Sequence, residues 1–392
     1  MSRARPGSRW RSSFLPLLLP LLGACTDVAE RAVAPTATAP SLSRTAGPSL
    51  HVAPTGTDAG DCMEAPCRTI NYAVSQASSG DVIAVAPGTY NESVSITKRL
   101  SLVGTNATID ATGKTSPPNA IVISGADAAG TLVTGFTVQH AGLEGIFILQ
   151  TSRVTIEDNL VRNNDTFGPF APECIDQPDD CGEAIHLQTV TNAIIRNNVV
   201  RDNIGGILLT DENGPTYGNL IEENAVLNNT LDCGITLASH HFSLQAAATP
   251  DVAGVYRNTI HHNTANGNGA AGIGVFAGPP GAAAWGNSVV DNTAMNNGAG
   301  GIMIHSHTPL QYVDENVIVN NTLSGNGIDE DNTIDDAPTG ISVFSAVVPI
   351  PHTVIADNHV TNEHYGLVSL NAAKLAGIPS NKFDVPVPTK IQ

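Results

Sequence analysis

The chain has 392 residues, of which 14% are charged and 4% aromatic, and a formal net charge of −18. Such a surface repels nucleic acid and anionic lipid head groups, so neither is an expected partner, and a polyanionic glycan would need a bridging cation. Abundant glycine and Asn-Gly pairs at 213–214, 266–267, 268–269, 297–298 and 326–327 favour many short strands and tight turns over helices.

Residues 1–25 read as a targeting segment outside the fold. Arg3, Arg5, Arg9 and Arg11 precede an apolar run, Phe14 to Leu22, that is too short to span a bilayer. The run ends in Leu22-Gly23-Ala24-Cys25, which resembles the bacterial lipobox. That resemblance implies cleavage before Cys25, a diacylglycerol on its thiol and lipid anchoring outside the cytoplasm, to an outer membrane or cell surface. An ordinary secretory signal is the alternative. Residues 26–49 are rich in Ala, Pro, Thr and Ser without a hydrophobic period, as in an extended tether.

Folding is expected from residue 50. His51-Val52-Ala53 reads as a first strand, followed by a loop holding Cys62 and Cys67. Thr69 to Ala77 carries Ile70, Ala73, Val74 and Ala77 on one stripe, which predicts a short capping helix over the open end of a solenoid core. Val82-Ile83-Ala84-Val85, Val94-Ser95-Ile96 and Leu100 to Val103 follow as strands. Thr69-Ile70, Gly80-Asp81-Val82-Ile83 and Val85 to Tyr90 resemble the N-terminal cap and first coil of right-handed parallel β-helix proteins. These belong to the pectin-lyase-like superfamily, in its NosD-like bacterial branch. The resemblance covers about residues 50–370 and implies an all-β fold. Its members include lyases, hydrolases, epimerases and adhesins, so activity does not follow from it.

From Gly145 to Leu370 one phrase recurs. A Gly-Ile-type opening (Gly145, Ala184, Gly206, Gly234, Gly272, Gly301, Gly340, Gly366) is followed by a loop, then by Asn-x-aliphatic. The Asn column is read as Asn159, Asn198, Asn224, Asn258, Asn287, Asn316 and Asn358, which predicts amide ladders along the axis. In each opening the Ile and the residue two further on should point inward. Cys233 falls on the inward side as a buried thiol. Cys62 with Cys67, and Cys174 with Cys181, are expected disulfides of an exported chain, with a zinc site as the alternative. Residues 371–392 read as a cap and tail.

Function is expected on the outward positions. Aligning the openings gives a first column through Phe147, His186, Leu208 and Met303. A second column runs through Leu149, Thr210, Phe276, His305 and Phe344, and a third through Thr151, Val190, Glu212, His240 and His307. Three readings fit. In one, Phe276, Phe344 and His186 contact a polysaccharide, while His305 and His307, assisted by His240, move protons in a lyase- or hydrolase-like reaction. In another, His240, His241, His305 and His307 bind a transition metal, helped by Glu212 or the acidic run Asp329 to Asp336. In the third, Phe276 and Phe344 are buried anchors of loops, and the protein is a surface or adhesion scaffold. The acidic run also has a calcium-loop composition without calcium-loop spacing. The exposed columns contain no Lys or Arg, which argues against a lyase with an arginine base.

Overall fold

The computed structural model describes residues 49–392 except 117, 168–181, 245–252, 332–336 and 371–374. The leader, the linker, Cys25, Cys174, Cys181 and the end of the acidic run lie outside the described residues. Almost every element is a short strand in parallel register, one coil apart, and the strands form a right-handed β-helix with three columns. The first column holds the Gly-Ile strands, including Ile146–Ser152, Glu183–Thr191, Gly205–Thr210, Ile235–Ser239, Ile273–Ala277, Ile302–Ser306, Thr339–Ser345 and Tyr365–Leu370. The second runs through Ile194–Arg196, Thr259–His261 and Ser288–Val290, the third through Val199–Arg201, Thr264–Asn266 and Thr293–Met295.

Period-2 alternation builds the interior. Ile146, Ile185, Ile207, Ile235, Ile273, Ile302, Ile341 and Leu367 stack in one inward column and are fully buried. Each contributes about 1.5–3 kcal/mol by leaving water. The glycines that open these strands have a packing reason. A Cβ on Gly206 would sit 2.0 Å from the Gly234 carbonyl oxygen, and one on Gly301 would sit 2.8 Å from that of Gly340. The corner therefore holds backbone against backbone.

The single Asn column expected from sequence is in fact three ladders. One runs Asn159, Asn198, Asn224, Asn263, Asn292, Asn321, Asn358 and Asn381. A second runs from Asn164 through Asn203, Asn229, Asn268, Asn297 and Asn326 to Glu363. The third holds Asn219, Asn258, Asn287 and Asn316. In a typical rung both the backbone N–H and the side-chain amide donate to the next side-chain oxygen, as Asn198 does to Asn224. The phrase repeats within one coil, so alignment on a single Asn merges two ladders.

At the N-terminal end the helix Ile70–Gln76 buries Ile70, Ala73 and Val74. Thr69 caps it, and Glu92 from the first coil accepts hydrogen bonds from the backbone N–H groups of Ile70 and Asn71. A carboxylate at this end satisfies free donors and suits the helix dipole. Cys62 and Cys67 form a disulfide, and Cys233 is a buried free thiol. Beyond residue 370 the chain adds more than a tail. Lys382–Asp384 and Val387–Ile391 pair in parallel with His359–Thr361 and Tyr365–Leu370, giving a further coil. Among the described residues no helix is long and apolar enough to cross a membrane.

Candidate functional site

The parallel register brings Phe276, His305 and Phe344 side by side on the outer face of the Gly-Ile strands. Both phenylalanines are half-buried and pack on the His305 ring at centroid distances of 5.3 and 5.6 Å. His305 itself is buried, whereas His307, two residues on, is partly exposed. The strand carries both imidazoles to one side, with ring centroids 5.4 Å apart. Asp329 and Asp331, from the loop one coil later, close over them.

His305 Nε2 lies 2.8 Å from Asp329 Oδ2, and both groups are almost fully buried. Nδ1 lies 3.5 Å from Asp331 Oδ2, and that oxygen is 3.9 Å from His307 Nε2. The three donor atoms of His305, His307 and Asp331 all fall within 4.8 Å of one another. Burial opposes a charged His305, but the hydrogen bonds to Asp329 and Asp331 outweigh it and push its pKa up to about 9. Burial and the His305 charge lower that of His307. Asp329 is held below its ordinary value, since the hydrogen bond and charge of His305 overcome burial. Asp331 is also held below its ordinary value, chiefly by its own hydrogen bond to His305. At neutral pH the cluster thus presents a neutral His307 imidazole, the Asp331 carboxylate and a protonated His305 oriented by Asp329, whose Nδ1 can take a metal ion only by giving up its proton.

His240 and His241 stand outside this group. Asp211, buried and raised by desolvation, accepts from the backbone N–H groups of both and from Ser239 Oγ. His240 Nδ1 lies 2.8 Å from Glu212 Oε1. Thr210 Oγ1 donates to Glu212 Oε2 at 2.5 Å, so the 2.9 Å contact between Thr210 and His186 has His186 Nε2 as donor. His186 Nδ1 then faces Glu144 at 3.5 Å. Burial would raise Glu212, but its bond to His240, the His186 charge and the Thr210 hydroxyl hold it at about 2. This is a second polar chain, with His186 buried inside it.

The outward columns are less exposed than the alternation implies. At outward positions of the Gly-Ile strands, Leu208, Thr236, Met303, Ser342 and Val368 are buried, and Val190, further along the same face, belongs to the core. Two arrangements were not anticipated. Tyr217, Tyr256 and Trp285 stack along the axis at centroid distances of 5.0 Å each, and Tyr312 packs tilted against Trp285 at 6.1 Å. The signal of the first three is an aromatic two residues before Asn219, Asn258 and Asn287; Tyr312 stands four before Asn316. On a far corner His261 and His262 face Asp291. Here the signal was a His-His pair before Asn263 and an Asp before Asn292.

A family model described as "Right handed beta helix region" matches residues 119–323, and one described as "Periplasmic copper-binding protein (NosD)" matches residues 257–391. No curated protein matches the chain. Among solved structures, PfbA, a surface adhesin of Streptococcus pneumoniae, is similar over 82% of this chain and 88% of its own, at 13% identity and a TM-score of 0.49. Pectate lyase Pel9A is similar over 86% and 79%, at 16% identity and a TM-score of 0.44. The Agl-KA catalytic domain is similar over 80% of this chain, at 12% identity and a TM-score of 0.45, and the chain spans 63% of its length. These likenesses concern the fold.

Proposed function

The chain belongs to the right-handed β-helix family, and we propose that it acts outside the cytoplasm to hold a divalent transition-metal ion at His305, His307 and Asp331. One observation carries the reading. Asp329 fixes His305 through Nε2, so that Nδ1 faces the Asp331 oxygen that also faces His307. A carboxylate on the far nitrogen is the usual support of a metal-bound imidazole. A tetrahedral ion with bonds of about 2.0–2.2 Å spaces its donors roughly 3.3–3.6 Å apart, close to the 3.5 and 3.9 Å found here. Two imidazoles and one carboxylate suit Cu2+, Zn2+ or Ni2+ and disfavour Ca2+. The match of residues 257–391 to a periplasmic copper-binding family, and the Cys62–Cys67 disulfide, agree with this reading and its compartment. A diacylglycerol on Cys25 would add the membrane anchor.

Equilibrium dialysis of the purified full chain tests the proposal. Cu2+ or Zn2+ should bind in the presence of excess Ca2+, and His307→Ala should lose one equivalent while remaining folded. Binding unaffected by H307A, or displaced by Ca2+, would overturn it.

A second reading keeps the polysaccharide partner. Phe276 and Phe344 retain partial exposure beside His307, so a sugar ring could rest against them while His307 moves a proton. A glycan array with metal-loaded and metal-stripped protein tests it. Glycan binding lost in Phe344→Ala supports this reading, and no binding in either state removes it.

A further inference from the structure

We infer a second metal-binding site, formed by His261, His262 and Asp291 at the corner between the second and third columns. It shares no residue with the His305 cluster and does not depend on it. The phrase from Asn258 to Asn263 places His261 at the end of a strand and His262 on the corner itself. His262 has left-handed backbone (φ 53), as does Asp291 in the next coil (φ 58). Passing from extended to left-handed backbone turns two successive side chains to the same side, which regular alternation would not do. Their ring centroids are 3.9 Å apart. Register places Val290 beside His261, so Asp291 follows beside His262.

The donor atoms converge on one point. Asp291 Oδ2 lies 3.3 Å from His261 Nε2 and 3.8 Å from His262 Nε2, and each of the three residues offers a donor atom within 4.8 Å of the other two. These separations exceed the roughly 2.7–2.9 Å of a charge-assisted hydrogen bond and bracket the donor spacing around a tetrahedral ion. The other oxygen, Asp291 Oδ1, accepts from Asn320 Nδ2 one coil further on, which orients the carboxylate. Among the described residues no Lys or Arg forms an ion pair with Asp291. A cation of the imidazole-binding class, Cu2+, Zn2+ or Ni2+, satisfies all three donors together. Water completes its coordination, since the corner is open to solvent.

The test is the number of Cu2+ ions bound per full chain, counted by dialysis with an electron paramagnetic resonance spectrum of each form. The parent should hold two ions in distinguishable environments. His261→Ala/His262→Ala should hold one and keep the spectrum that is lost in H307A. Asn320→Ala leaves all three donors in place and should weaken this site about 10-fold, as loss of an orienting partner does. A single ion that survives H261A/H262A overturns this inference and leaves the His305 site standing. A single ion abolished by H261A/H262A supports it and overturns the His305 reading. No bound ion overturns both.

Discussion

Glu363 ends the second ladder where a further asparagine would otherwise stand. Its Oε1 accepts from both the backbone N–H and the side-chain amide of Asn326, at 2.9 Å each, while Oε2 is buried without a partner. Burial raises its pKa from 4.5 to about 7 against the pull of the two Asn326 bonds. The folded chain therefore binds a proton more tightly than the unfolded one between those values. Stability from this group is complete below pH 4.5 and lost as pH rises through about 7. The full shift corresponds to about 3 kcal/mol, and partial screening by solvent reduces it to about 1–2 kcal/mol. Glu363→Gln keeps the acceptor and cannot ionise. Its urea midpoint should equal the parent's near pH 4.5 and exceed it at pH 8, by an amount equivalent to about 1–2 kcal/mol. A parent–variant difference that does not change with pH would refute the reasoning, as would a less stable E363Q at pH 8.

Three further outcomes are expected. Asn198→Ala strands the Ile156 carbonyl and the Asn159 N–H inside the ladder, so thermal unfolding should show a loss of about 2–5 kcal/mol. Gly206→Ala puts a methyl group 2.0 Å from the Gly234 oxygen and should destabilise by about 1–3 kcal/mol, whereas an Ala at exposed Gly113, where no atom lies within 4 Å, meets only its positive φ. In metal-free protein His305 should stay protonated through neutral pH and titrate at about 9, contributing stability below pH 6.5 that is lost as pH rises through 9. Asp329→Asn should drop that value sharply, read from imidazole nitrogen shifts by NMR.

How much was legible in the sequence follows from what each signal is made of. The Gly-Ile openings carry the core column in single residues, so they fix the register between coils and with it the Phe276–His305–Phe344 row. Asn258 and Asn224 look alike in the phrase but occupy different corners, because loop length, and not the phrase, decides which corner follows. Exposure failed for a related reason. Alternation tells which way Leu208 or Ser342 points but not what covers it, and both are buried. The acidic run was visible as composition, and only the fold shows Asp329 seated under His305 with Asp331 across from it. His261, His262 and Asp291 were hidden by their adjacency to the ladder, where each reads as an ordinary turn residue.

The central claim is best tested by soaking a crystal of the full chain in Cu2+ or Zn2+ and recording an anomalous difference map at the metal edge. The account predicts a peak about 2.0–2.2 Å from His305 Nδ1, His307 Nε2 and an Asp331 oxygen, with Asp329 still bonded to His305 Nε2. An edge-specific map with no peak between His305, His307 and Asp331 in a fully loaded crystal would contradict it.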